Sequence, residues 1–363
     1  MTIVHINRNF FTNRIHLNIF NALATNKIYG KIIIYHYGEY SKNNQGNNIV
    51  LIKIPRVLRY FPITRSLLLS VLILRKKIVN QETIIHAHTL CSDGFIAFFL
   101  SILKRVKYVC TIRNTDVNGY IKKVKLLLPF VKLVVKRAEK IVFLSPSYEK
   151  KSLSVTNDPS KHVILPSFLE KFWEMTLPDL PNLIDDRITT YKKTNGLLRF
   201  IYVGRLVPGK KIMDMVTFFV KRNLAIDIYG TGPEVEKIEK IGASNKKIRY
   251  CGPIDNKELP KILRNYEISI NFSPSESFGL FFVESLFMGV IPIFNKDEGI
   301  DGLFNWLDTT ALMSDPKSVD KAVNQTRENY LQYLERLRTE NLKIFTQDYF
   351  MARYIGILRS ISQ

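Results

Sequence analysis

Ser275-Glu276-Ser277-Phe278-Gly279-Leu280-Phe281-Phe282-Val283-Glu284-Ser285-Leu286-Phe287-Met288-Gly289 places one glutamate ahead of a glycine turn and a second inside an apolar helical pattern. Gly279 leaves no side chain where the backbone would approach a phosphate, and the N–H groups of Leu280 and Phe281 open a helix whose positive end favours an anion. Glu284 falls about one and a half turns further in, where a carboxylate can accept hydrogen bonds from a ribose-like diol. Alone, the stretch reads equally as an amphipathic helix after a turn, so the segments upstream decide.

Arg199-Phe200-Ile201-Tyr202-Val203-Gly204-Arg205-Leu206-Val207-Pro208-Gly209-Lys210-Lys211 is an apolar strand running into a Gly-Arg turn, with Lys210 five residues after Arg205. Strand-to-helix crossovers are where α/β proteins bind phosphate. Arg205 can fork across phosphate oxygens and Lys210 supplies a compact point charge, so the two could neutralise a diphosphate. Ala225-Ile226-Asp227-Ile228-Tyr229 then runs into Gly230-Thr231-Gly232-Pro233, and Ile248-Arg249-Tyr250-Cys251 into Gly252-Pro253. Each is an ordinary turn by itself.

In this order, Gly-Arg-x4-Lys, Gly-x-Gly-Pro, Gly-Pro and Ser-Glu-x-Phe-Gly-x5-Glu resemble the donor half of the family 4 glycosyltransferases, retaining enzymes of the GT-B fold. The resemblance is specific over residues 197–295 and weaker before them. It implies an α/β chain of two doubly wound Rossmann-like domains facing across a cleft, with a C-terminal helix crossing back to the N-terminal domain. It also implies roles: Arg205 and Lys210 on the diphosphate, Glu276 on the donor sugar, Glu284 on the ribose, and the Phe278 to Phe281 backbone supporting phosphates. Gly204, Gly230, Gly232, Pro233, Gly252 and Pro253 would shape the nucleotide site. The family often has Ala-Met after the second glutamate where this chain has Ser285-Leu286, a packing change.

At 363 residues the chain exceeds one ordinary core. The expected division is 1–170 plus a crossover helix at 345–363 for the acceptor domain, and 171–344 for the donor domain. Hydrophobic content of 46% with 23% charged residues is globular. Cys91, Cys110 and Cys251 form no Cys-x-x-Cys pair, which argues against a disulfide framework or structural zinc site and fits a reducing cytoplasm. The N-terminus is too polar for a signal peptide and reads as a first buried strand.

Charge is uneven. Residues 1–195 carry 30 Lys+Arg against 12 Asp+Glu, whereas 196–363 carry 23 against 20. The excess concentrates in Arg56 to Lys77 and Lys122 to Lys140, where basic and apolar residues interleave. Neither run reaches the roughly 20 apolar residues that cross a bilayer. Peripheral binding to the inner face of an anionic membrane is the expectation, the alternative being core helices with solvated basic faces. No zinc-finger spacing, RNA-recognition aromatic motif or basic arm points to nucleic acid.

Strands are expected near 2–6, 31–36, 49–54, 83–87, 107–112, 140–144 and 162–165, then 199–203, 225–229, 248–251, 268–272 and 290–294. Continuous Val/Ile/Tyr runs between helical patterns mean parallel sheets covered on both faces. The domain break is expected in Pro166 to Gly196, where Pro178, Pro181, Asp185, Asp186, Lys192 and Lys193 interrupt the periodicity.

Acceptor-side candidates are fewer. His88 and Asp93 follow the strand ending at Ala87, where they either line a crevice or serve structure; a His-x-His pair could ligate metal, but no third ligand is evident. His5, His36 and His162 fall in strand patterns and read as structural. Arg113-Asn114 stands where many family members have His-Gly, which moves attention to Arg113 and Asp116, though Asp116 could simply cap a helix or turn. After the first strand the family's Gly-Gly turn is replaced by Asn7-Arg8-Asn9, so Arg8, Asn9 and Arg14 either contact acceptor or phosphate by side chain or form a solvated basic helix start.

The resemblance therefore implies transfer of a sugar, with retention, from a nucleotide-diphosphate donor of UDP type to a hydroxyl of a saccharide acceptor. A lipid-linked acceptor in bacterial surface polysaccharide assembly fits the basic, apolar N-terminal half. No Asp-x-Asp triplet occurs, so cations rather than a divalent ion would hold the diphosphate, and no cofactor or metal is expected. An epimerase, a phosphorylase or a noncatalytic binding protein could reuse the fold; the set Arg205, Lys210, Glu276 and Glu284 argues against the last.

Overall fold

Runs such as Ile32-Ile33-Ile34 and Ile84-Ile85 have no polar position to turn toward water, so they are stable only as strands covered on both faces. The computed structural model, which describes residues 2–8, 14–25, 30–37, 48–122, 124–307, 311–312 and 316–362, buries them in this way. The chain divides into two units: unit 1 is Met1–Leu144, Tyr148–Pro166 and Asp348–Gln363, and unit 2 is Ser145–Ser147 and Ser167–Gln347.

Unit 1 contains β1 (Thr2–Ile6), α1 (Arg14–Thr25), β2 (Lys31–His36), β3 (Ile49–Lys53), α2 (Pro62–Arg75), β4 (Thr83–Ala87), α3 (Phe95–Lys104), β5 (Lys107–Ile112), α4 (Leu128–Arg137), β6 (Lys140–Phe143) and β7 (His162–Ile164). Helix α5 (Pro146–Ser152) begins in unit 2 and ends in unit 1. The sheet order is β3-β2-β1-β4-β5-β6-β7, all parallel. The order reverses between β1 and β4, and their register sets His5 beside His86.

Unit 2 contains α6 (Lys171–Glu174), α7 (Leu180–Lys193), β8 (Phe200–Val203), α8 (Ile212–Lys221), β9 (Ile226–Tyr229), α9 (Val235–Ser244), β10 (Ile248–Gly252), α10 (Leu259–Leu263), β11 (Ile268–Asn271), α11 (Leu280–Phe287), β12 (Ile291–Asn295), β13 (Ala311–Leu312) and α12 (Pro316–Thr339). Its parallel sheet, β10-β9-β8-β11-β12-β13, repeats the connectivity of unit 1 and reverses between β8 and β11. Helix α13 (Gln347–Ser362) returns to unit 1, where the Tyr354 hydroxyl lies 2.8 Å from His86 Nδ1 and Lys107 Nζ donates to Ile361 O at 2.7 Å.

All twelve expected strands form. The two-residue β13 is additional, too short for an alternation to register. The segment read as an interruption is corrected: residues 180–193 are a helix, with Pro181 in its first turn, where a missing N–H costs nothing. Leu180, Leu183, Ile184 and Arg187 are buried at helical spacing. Arg187 completes this buried face, its Nε donating to Met288 O at 2.9 Å and its Nη2 to Leu263 O at 2.8 Å. A third bond runs from its Nη1 to Tyr266 O.

Candidate active site

The carboxyl ends of β8 and β9 bring two turns of unit 2 together. Gly204 N donates to Tyr229 O at 3.1 Å, and Leu206 N to Thr231 O at 2.8 Å. At Gly230, with φ at 140°, an added Cβ would lie 1.8 Å from Gly204 O, so only glycine permits this approach. Gly232 and Pro233 continue the second turn, and Gly252 ends β10, with Pro253 following at the same carboxyl edge.

Between these turns and α11 lies the charged pair of the site. Lys210 Nζ donates to Glu276 Oε2, both side chains being more than four-fifths buried. Arg205 is exposed, one turn earlier. The Glu276 loop is fixed by residues the motif reading missed: Glu276 N donates to Glu298 Oε2 at 2.9 Å, Gly299 N to Glu276 O at 2.9 Å, and Asn295 Nδ2 to Phe272 O and Ser273 O at 2.8 Å each. Glu298 and Asn295 lie about twenty residues downstream, with no spacing rule tying them to the loop.

Gly279 caps α11 with φ at 74°, a left-handed conformation that starts the helix abruptly and leaves its first N–H groups without intrahelical carbonyls. Phe278 is buried, while Leu280 and Phe281 are half-buried. Glu284 is 8% exposed, unusually buried for a carboxylate on a helix. An indole N–H only donates, so Asn256 presents its amide oxygen to Trp173 Nε1 (3.2 Å) and its nitrogen to Glu284 Oε1 (3.1 Å).

Unit 1 uses the corresponding sheet edge differently. His88, Asp93, Arg113 and Asp116 are all buried. Asp116 accepts from three backbone amides, Leu90 N (3.0 Å), Cys91 N (2.8 Å) and Arg113 N (3.0 Å), so its carboxylate braces two loops. Arg113 Nε donates to His88 O at 3.0 Å, and burial lowers the Arg113 pKa to about 10. Burial raises the Asp93 carboxyl to about 7. Asn9 lies outside the described residues; Arg8 stacks 4.9 Å from the Tyr37 ring centroid.

The His-x-His pair acquires a third imidazole, His5, that spacing did not reveal. His5 Nδ1 lies 3.1 Å from His88 Nε2, while both nitrogens of His86 meet hydroxyls, Tyr354 at 2.8 Å and Thr111 at 2.9 Å. Burial lowers His5 to about 3 and His16, which packs against His88, to about 2. His86 and His88 shift the same way, so the group forms a neutral layer, in which His5 Nε2, His16 Nδ1 and His88 Nδ1 are buried without a hydrogen-bond partner.

Residues 187–340 match the family described as "Glycosyl transferases group 1". The chain is 34% identical over 99 residues to the GtfA subunit of a UDP-N-acetylglucosamine–peptide N-acetylglucosaminyltransferase of Streptococcus agalactiae, covering 26% of this chain and 19% of that protein. It is 22% identical over 244 residues to the uncharacterized glycosyltransferase YqgM of Bacillus subtilis, covering 63% of this chain and 64% of that one. The matched stretch thus spans less than two thirds of either relative. Anabaena Alr3699/HepE, solved in complex with UDP, superimposes over 99% of this chain and 100% of its own with a TM-score of 0.67 at 11% identity, a likeness of fold. The two parallel sheets are accordingly those of a GT-B fold, and residues 187–340 form a glycosyl transferases group 1 domain.

Proposed function

We propose that the protein is a retaining, hexosyl-type family 4 glycosyltransferase that moves a sugar from a UDP-sugar to a hydroxyl of a lipid-linked saccharide in bacterial surface polysaccharide assembly. The observation that carries this reading is the Lys210–Glu276 pair at the reversal of the unit 2 sheet, between the Gly204 and Gly230 turns and the Gly279 helix start. Each partner holds the other in place before the donor arrives. On binding, the diphosphate takes over the Lys210 ammonium, joined by Arg205 and the helix end, and Glu276 is released to the hydroxyls of the donor sugar. The bond from the anomeric carbon to the diphosphate breaks, the acceptor oxygen attacks from the same face, and the acceptor proton passes to the departing phosphate. Two cations and a helix end can match the charge of the leaving group, which supports a reaction independent of added metal. Calorimetry with UDP, followed by a donor screen for nucleotide release with lipid-linked acceptors, tests the assignment. Millimolar or weaker UDP binding, abolished by neither Lys210→Ala nor Arg205→Ala, overturns it.

The inner face of the cytoplasmic membrane is the proposed working surface. Residues 56–77, 95–107 and 117–138 contain no Asp or Glu. Their helices pack in sequence, α2 on α3 and α3 on α4, and expose Tyr60, Phe61, Leu67, Leu103, Leu126 and Leu133 among the cations. Among the described residues no helix is long and apolar enough to cross a membrane.

A further inference from the structure

The group 1 motif contains Glu284 but nothing that explains how its carboxylate is held. Glu284 projects from α11, an eight-residue helix, at a position otherwise surrounded by Phe282, Val283, Leu286 and Phe287, all buried. A carboxylate in such surroundings has several rotamers open to it, and only one of them presents its oxygens usefully to a diol. Some neighbour has to choose.

We propose that Trp173 and Asn256 form a positioning relay that orients Glu284 for the ribose of the nucleotide donor, a proposal that rests on the donor reading above. Trp173 is fully buried on α6, its ring 5.4 Å from that of Phe172, so the indole has no freedom to turn. Its N–H, which cannot accept, must meet an oxygen, and the only orientation of the Asn256 amide that provides one aims the Asn256 N–H groups at Glu284 Oε1. The direction of the relay is therefore set at the end farthest from the nucleotide. Asn256 is itself held by the turn after β10, where Lys257 N donates to Asp255 Oδ1 at 2.9 Å and Leu259 N to Asn256 O at 3.4 Å. With Oε1 engaged from behind, the plane of the carboxyl group is fixed before the nucleotide binds. Preorganisation of this kind raises affinity by lowering the ordering cost of binding, and it acts only on ligands that use the carboxylate.

That last point supplies the test. Affinities of wild type, Trp173→Phe and Asn256→Ala for UDP and for 2′,3′-dideoxy-UDP, which lacks the diol, are measured by calorimetry on the full chain. Trp173→Phe keeps an aromatic ring and deletes the N–H. The expected result is that wild type prefers UDP by at least tenfold, that Asn256→Ala reduces this preference to about twofold, and that Trp173→Phe falls between. Affinity for the dideoxy analogue should stay within twofold throughout, a pattern that general loosening of the site would not produce, since both ligands would then weaken together. A wild type that binds UDP without preferring it over the analogue, or fails to bind it, overturns the ribose role of Glu284 and the relay with it. A wild type that discriminates and an Asn256→Ala variant that discriminates equally overturns the relay alone. If Asn256→Ala does not fold, Trp173→Phe decides by the same ratio.

Discussion

Units 1 and 2 have one connectivity and two uses for it. Each sheet reverses direction at its fourth strand, and in each the reversal opens the carboxyl edge where α/β proteins bind ligands. In unit 2 that edge is built of close-approaching glycine turns and a partly accessible Lys210–Glu276 pair. In unit 1 it is filled by buried imidazoles, Asp93, Arg113 and Asp116; Asp116 and Arg113 serve neighbouring backbone, while both Asp93 oxygens and one nitrogen each of His5, His16 and His88 have no hydrogen-bond partner. All six histidines lie in residues assigned to unit 1, and both tryptophans, Trp173 and Trp306, in unit 2. The lesson is that topology provides the place for a site, while backbone approach and charge exposure determine whether it is open to a ligand.

Acid should separate the two units most strongly. His5, His16, His86 and His88 have folded pKa values below the ordinary 6.5, so the unfolded chain binds more protons and stability falls as pH drops from about 6.5 toward 3. At pH 5 His5 and His16 should each cost about 2 kcal/mol relative to neutral pH, His86 and His88 acting in the same direction and Asp93, whose raised pKa favours the fold as pH falls through about 7, offsetting part of the loss. Far-UV dichroism should be lost before tryptophan fluorescence, which reports unit 2; simultaneous loss of both signals would erase the contrast.

Crowding at the unit 2 turns is the next test. Gly230→Ala drives a Cβ into Gly204 O and should destabilise by about 3 kcal/mol or more, read by denaturant titration of tryptophan fluorescence. A melt identical to wild type would mean that the turns are not in contact.

A matched pair of substitutions then contrasts chemistry with bracing. Lys210→Ala or Arg205→Ala should lower turnover at least about a hundredfold, near 2.7 kcal/mol of transition-state stabilisation, and Arg205→Ala, at an exposed position, should do so with an unchanged melting temperature. Asp116→Ala should lower the melting temperature, by stranding three backbone amides, and leave UDP affinity unchanged. The opposite pattern would reverse the functional assignments of the two edges.

The smallest effect per residue is at the basic surface. Replacing Lys122, Lys125 and Lys132 by Gln should weaken binding to anionic vesicles by about 1 kcal/mol per charge at low salt, with UDP affinity unaltered. Equal sedimentation of variant and wild type would rule out this face.

Where the sequence was informative, it was so through continuous signals. Strands of unit 2 announced themselves as uninterrupted runs such as Phe200-Ile201-Tyr202-Val203, each ending in a glycine turn. The helix at 180–193 escaped because two prolines and a cluster of charges obscured the one face that is buried, and because the residue completing that face is an arginine. The imidazole layer escaped for a different reason: His5 and His86 are brought together by strand register, and His16 by helix packing, neither of which leaves a mark in local spacing. Asn256, Trp173 and Glu298 are likewise products of loop geometry, whereas Lys210 and Glu276 were legible because their motifs lie directly at strand ends.

Arg187 has a practical consequence for anyone dividing the chain. Its guanidinium caps carbonyls at the ends of α10 and α11 and at Tyr266, so one side chain ties together two separate peptide segments. The recognisable motif begins only near residue 197, and the family match at Arg187 itself, in mid-helix. A fragment started at Arg187 would strip away the first two turns of α7, and with them the packing that keeps the guanidinium seated, and one started near 197 would lose Arg187 itself. Excision of unit 2, or its grafting onto another N-terminal half, should therefore start upstream of Leu180, and a chimera joined at Gly196 should express as insoluble protein.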